Sequence, residues 1–279
     1  MIEQYYSAPG IMTDAHNCEL PTNLANNISF LRSTVSNLII HPDMFSLYGL
    51  DSPSDLSEIH LRPVGPMLDR LLAKCDWPLA RPRPPAKRLI GSCRHYSVLL
   101  CSILRAAGEP SRVRCGFACY FDPVHWEDHW ITEVWNARAT RWQRVDAEID
   151  SILQSAFSIG FDPIDIPDRL FLSGPDAWRR YRDGDIDADL FGIGSNRGPR
   201  FIAGSVVRDL AALNKVEMLP WDYWGYIRDL DQRRMDLDVG LIDAVADAVA
   251  EGSWAERTAA YRQPGIAVPA DLRRVVADR

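Results

Sequence analysis

The sequence predicts a protein of mixed α and β structure. Three observations carry this: a helical stretch over 92–107, three successive runs of strand character at 112–121, 128–136 and 141–146, and helical periodicity returning at 201–214, 222–236 and 238–250.

Residues 1–27 show no period. From Ile28 the apolar positions 28, 31, 35, 38 and 39 recur at helical spacing, so an amphipathic helix is expected over 28–40. A second is expected over 66–74, with Met67, Leu68, Leu71 and Leu72 on one face, and the prolines from Pro78 to Pro85 end regular structure beyond it. The basic stretch 81–88 lies among those prolines and reads as a linker. The strongest helix follows, SCRHYSVLLCSILRAA, with Ser92 placed to cap its start and Gly108 to end it. After the three strand runs, aspartate- and glycine-rich turns fill 150–198 before the last helices. The expected division is a mostly helical region with a proline-rich linker over 1–87, a catalytic core over 88–150, and a loop-rich, then helical elaboration over 151–279.

With 47% hydrophobic and 25% charged residues in 279, the chain has globular composition and apolar material for one large core or two small ones. A formal net charge of −7 argues against nucleic acid as a partner, because tracking phosphates needs a basic surface. The N-terminus lacks the basic and apolar regions of an export signal, and no apolar run approaches the ~20 residues of a membrane span. A cytoplasmic protein with no membrane partner is expected. The cysteines at 18, 75, 93, 101, 115 and 119 are thinly spread, so free thiols are expected.

Cys93 stands at the start of the strongest helix, where backbone N–H groups left over by the helix and the positive end of its dipole favour a thiolate. The same groups could hold the oxyanion formed when sulfur attacks a carbonyl. The strand from His129 is expected to turn near Ala137-Arg138. Without a bulge, that turn sets His129 opposite Asp146, Ile131 opposite Arg144 and Glu133 opposite Trp142. An imidazole to take the thiol proton and a carboxylate to fix its tautomer are what a thiol enzyme needs. The catalytic residues are therefore expected to be Cys93, His129 and Asp146.

The segment from Arg88 to about Asp150 resembles the transglutaminase-like superfamily. The order Cys, His, Asp matches. So do Gly91 and Cys93 ahead of a helix ending in Gly108-x-Pro110-x-Arg112, and His129 with Trp130 beside it and Glu133 four positions on. Two departures lie outside the triad: the aromatic residue follows His129 directly, and His95 stands where many members carry an acid. The resemblance implies a papain-like α+β fold, with the nucleophile helix packed on an antiparallel sheet, and a thioester acyl-enzyme. It does not imply a substrate. The expected partner is a small-molecule or peptide amide or ester, with an amine or water as acceptor; no cofactor is called for. The competing readings are a peptidase or amidase with water as sole acceptor, and a binding module that keeps the fold without the chemistry.

Other residues admit a site role and a plainer one. Arg94 could attract an anionic group and His95 could polarise substrate, or both could serve structure; Trp126 and Trp130 could line an acyl pocket or belong to the core. Cys101 reads as core, and Cys115 and Cys119, alternating with Val113 and Phe117, read as buried strand residues. His125 and His129 could be metal ligands, but the segment is not a helix with the His-Glu-x-x-His order, and no metal is expected. Gly192–Gly198 misses dinucleotide spacing and reads as a loop; the acidic run 183–189 lacks a calcium-loop pattern and reads as a solvated turn.

Overall fold

The computed structural model describes residues 2–16, 18–22 and 27–272. It has a mixed α+β architecture in which ten helices and eight strands are named in chain order: α1 (Ile2–Ser7), α2 (Ile28–Ser36), β1 (Ile39–Ile40), α3 (Val64–Lys74), β2 (Leu89–Ile90), α4 (Cys93–Ala106), β3 (Ser111–Ala118), β4 (Trp126–Asn136), β5 (Arg141–Val145), α5 (Ser151–Ala156), β6 (Phe171–Ser173), α6 (Gly174–Asp183), β7 (Phe191–Ile193), β8 (Asn196–Arg197), α7 (Pro199–Leu213), α8 (Gly225–Asp231), α9 (Val239–Ala250) and α10 (Trp254–Tyr261). Strands β3 to β8 form a sheet in the order β6-β3-β4-β7-β8, with β5 also on β4. The chain divides into two compact units: one runs to Val113 and resumes over Ile131–Ile166, the other takes Arg114–Trp130 and the chain from Pro167.

In the first unit α4 is buried from Cys93 through Arg105, so it is enclosed on every face rather than amphipathic. Helices α2 and α3 pack on it, contributing buried Leu31, Val35, Met67, Leu68 and Leu71. Two of its polar residues bond within the unit: Arg105 Nε donates to Ser111 O at 3.0 Å, and Ser102 Oγ to Thr13 O at 2.7 Å. The helix ends as Gly108 predicts. Its φ of 82° lets Glu109 N–H reach Leu104 O at 2.9 Å while its own N–H reaches Arg105 O at 2.9 Å. The stretch expected to be a linker is packed instead. Arg83 Nη2 donates to the carbonyls of Cys75 and Trp77 at 3.0 and 2.9 Å, and Arg88 Nη1 to Ser36 O at 3.2 Å.

The β4–β5 register differs from the expected one by two residues. Thr132 lies opposite Val145, Glu133 opposite Arg144 and Trp135 opposite Trp142. The cause is the turn. A two-residue hairpin turn requires residues that tolerate positive φ, which Ala137-Arg138 do not supply. The chain uses four residues: Asn136 Oδ1 accepts from the N–H groups of Arg138 and Ala139 at 3.1 and 3.0 Å, and Thr140 takes φ 51°.

In the second unit β3 pairs antiparallel with β6, β4 pairs parallel with β7, and β7 pairs with β8. The buried Asp209 of α7 accepts from Arg114 Nε and Nη2 at 2.9 and 2.8 Å and from Cys115 N–H at 2.9 Å, fixing β3 to the helix. Helices α6, α8, α9 and α10 all contact α7. The region expected to hold only turns therefore contains α5, α6 and three short strands. The glycine stretch is a hairpin and not a loop: Gly192 pairs with Arg197 and Ile193 with Asn196, and Gly194 turns the chain at φ 53°. The acidic run begins as the last turn of α6, closed by left-handed Gly184, and Asp187 caps the next turn by accepting from Asp189 N–H at 3.0 Å.

Candidate active site

Cys93 is the first residue of α4, and two hydrogen bonds fix that end of the helix, one within it and one from β4. Ser97 Oγ donates to Cys93 O at 3.0 Å, and Thr132 Oγ1 donates to Ser97 O at 2.9 Å. His129 lies three residues before Thr132 on the same continuous strand. The acidic segment after β5 is held as firmly. Asp146 N–H donates to Pro163 O at 2.8 Å, Ser36 Oγ to Ala147 O at 2.6 Å, and Glu148 N–H to Asp146 Oδ1 at 2.9 Å. Arg32 holds the Ile149 carbonyl. Asp150 accepts from Tyr48 Oη at 2.8 Å and caps α5 through the N–H groups of Ile152 and Leu153.

These elements bring the thiol of Cys93, an imidazole nitrogen of His129 and a carboxylate oxygen of Glu148 within 4.8 Å of one another. All three are buried, at 8%, 3% and 4% exposure, so a proton shared among them is shielded from bulk water. The aromatic rings of Tyr120 and Phe121 pack edge-on to the His129 imidazole at 5.6 and 5.1 Å between centroids. Sequence reasoning missed Glu148. The β4–β5 ladder ends at Thr132 opposite Val145, so it pairs neither residue 146 nor residue 148 with residue 129. The four-residue turn capped by Asn136 was the signal that would have corrected the register. Asp146 keeps its motif position and is 1% exposed, two residues from Glu148.

A thiol, an imidazole and a carboxylate also form a donor set for a metal such as zinc. The helix start argues for the other use, since its dipole favours the negative thiolate and opposes an added cation. His125 lies in a second group with Asp122 and Glu127, so the two histidines sit in different groups. There His125 Nδ1 is 3.3 Å from Asp122 Oδ2.

The remaining candidates make contacts of their own. His95 Nδ1 accepts from Ser92 N–H at 3.0 Å, closing the helix start, and burial, reinforced by the neighbouring Arg94 charge, pushes its pKa well below the ordinary value and keeps it neutral. Gly91 makes room for that ring: a Cβ there would lie 2.8 Å from His95 Cβ. Arg94 is fully buried and donates from Nη1 to Arg62 O at 2.6 Å. Trp126 stacks on Phe191 at 5.2 Å, and Trp130 is buried. Cys101 lies in the core with Sγ 3.4 Å from Ser111 Oγ, and all six cysteines are free thiols. Cys115 is buried as expected, but Cys119 falls just beyond the end of β3 and is half-exposed.

The motif residues Arg112 and Glu133 form a buried ion pair, Nε to Oε2 at 2.6 Å, with Arg144 Nε 3.6 Å from Oε1. Arg112 also lies 4.1 Å over the Trp142 ring. These residues align the strands that carry the site.

Residues 78–147 match the model of the transglutaminase-like superfamily. The matched segment includes Cys93, His129 and Asp146 and stops one residue short of Glu148. No curated protein and no solved structure matches the chain. Among the described residues no helix is long and apolar enough to cross a membrane.

Proposed function

We propose that the transglutaminase-like segment is a cysteine-dependent acyl-transfer site. The observation that carries this reading is the meeting of Cys93, His129 and an acidic side chain at the start of a buried helix, within the segment that matches the superfamily. His129 takes the thiol proton. The thiolate attacks the carbonyl of an amide or ester, a C–S bond forms, and the leaving amine or alcohol departs with the proton from His129. An amine or water then attacks the thioester, gives its proton to His129, and releases the thiolate, which is reprotonated. Asp146 is assigned as the group that orients the imidazole, on its motif position. Glu148 is the second carboxylate beside the thiol and imidazole.

The test is intact-mass analysis of the full chain after exposure to an activated ester such as p-nitrophenyl acetate, with and without an added primary amine. Acyl transfer predicts an acetyl adduct on Cys93 that added amine discharges faster than water, and no adduct in Cys93→Ala. An adduct discharged at the same rate with and without amine identifies a hydrolase. No adduct at all overturns the catalytic reading in favour of a binding module. Asp146→Asn should lower the acylation rate by about 10²–10⁴ through loss of the correct tautomer, and Glu148→Gln by less. The opposite order would move the orienting role to Glu148.

A further inference from the structure

The second unit contains a cavity of about 170 Å³ beside α7 and α8, and four of its eleven lining residues are arginines against one acid, Asp231. One of the four, Arg197, is already matched by Glu127. The others are not equally matched. Arg200 Nη1 donates to the carbonyls of Leu230 and Met235, each at 3.2 Å, and the nearest acid, Asp236, lies 3.9 Å from Nη2 in open solvent. Arg233 is an exposed residue held in the left-handed region at φ 53°.

Arg208 is the unusual one. It is 5% exposed, its Nε has no hydrogen-bond partner, and its guanidinium faces the Tyr223 ring at 5.3 Å. Among the described residues no carboxylate lies within ion-pair distance of it, though its charge acts on the carboxyl of Asp128. A buried cation with an unused donor is unfavourable unless something completes it.

The helix is arranged to keep this guanidinium in place. Gly204 lies one turn before Arg208 in the interior of α7, where glycine is less favourable than alanine. A Cβ at that position would lie 3.0 Å from Arg208 Nη1. The missing side chain leaves room for the guanidinium at the cavity wall.

We propose that this cavity is a binding site for an oxyanion, a phosphoryl or carboxylate group, with Arg208 as the buried contact and Arg200 and Arg233 as the outer ones. A planar guanidinium fork matches both anions, and an anion supplies the acceptor that Arg208 lacks. The site goes beyond the chemistry proposed at Cys93. It is read by binding alone, so its failure leaves the acyl-transfer reading standing and the reverse is equally true.

The experiment is calorimetric titration of the full chain with inorganic phosphate and, separately, with acetate, at constant ionic strength against sodium chloride. Saturable binding of phosphate identifies a phosphoryl site, and saturable binding of acetate identifies a carboxylate site; either supports the proposal. Arg208→Gln should weaken binding by about tenfold or more, the loss of one charge-assisted contact. Because Arg208 is buried, that variant could unfold. Arg233→Gln changes an exposed residue and should weaken binding severalfold with the melting temperature unchanged. Heats no greater than those of chloride for both anions would overturn the proposal, as would binding that both variants leave intact.

Discussion

Glu133→Ala removes a carboxylate that two arginines share. In the native protein Glu133 accepts from Arg112 Nε at 2.6 Å and faces Arg144 Nε at 3.6 Å, and the Arg112 and Glu133 side chains are only 10% and 4% exposed. Solvent therefore screens this pair little. Truncating one member of such a pair leaves the other charge buried and unmatched, which destabilises by about 3–5 kcal/mol, against the 0–1 kcal/mol of an exposed pair. Arg112 bears the larger loss, because Arg144 is 3.6 Å away and 16% exposed. Domains have only about 5–15 kcal/mol in total, so the loss would be a large fraction of it. Urea unfolding of the wild type and variant, analysed for both midpoint and slope, measures it. Replacing both partners, Arg112→Met with Glu133→Leu, should recover most of the loss, because apolar side chains leave no stranded charge. A loss below about 1 kcal/mol for Glu133→Ala would refute the claim that this pair aligns β3 with β4.

Two further substitutions test other links between sequence and fold. Burial raises the Asp128 carboxyl to about 6 from 3.8, against the opposing pull of Arg208 and His129. The folded state thus holds this proton more tightly than the unfolded chain, and stability is lost as pH rises from about 4 through about 6. Asp128→Asn should match the wild type below pH 4 and be more stable by about 1–3 kcal/mol at pH 7.5; equal stability at pH 7.5 would contradict the assignment. Gly116→Ala should destabilise by about 2 kcal/mol or more, because its Cβ would lie 2.1 Å from Leu172 O across the β3–β6 pair. A thermal melt unchanged from wild type would show that the two strands can separate at no cost.

Much of the site was legible in the sequence because the signals that define it are local. Ser92, Cys93 and Gly108 mark both ends of α4, and each is where the periodicity placed it. The position of His129 on a strand followed from its neighbours, since apolar and β-favouring residues dominate 129–136. What failed was a count across a turn. A hairpin's register depends on how many residues the loop takes, and moving from two to four shifted every partner by two. The second unit was less legible for a different reason: β6, β7 and β8 have two or three residues each, too short for a period to register, and β6 and β7 pair with β3 and β4, far away in the chain. The packed state of Arg83 and Arg88 was hidden because composition alone reads basic, proline-rich segments as exposed.

The central claim, that Cys93 and His129 act as a pair, is tested most directly by the pH dependence of Cys93 alkylation. Iodoacetamide modification would be followed by mass spectrometry of the Cys93 peptide, in the wild type and in His129→Ala, so that the other five thiols do not confuse the count. The account predicts that Cys93 reacts well below pH 7 in the wild type and that this low-pH reactivity disappears with the imidazole. A Cys93 that titrates like an ordinary thiol, or stays unreactive, in both proteins would contradict it.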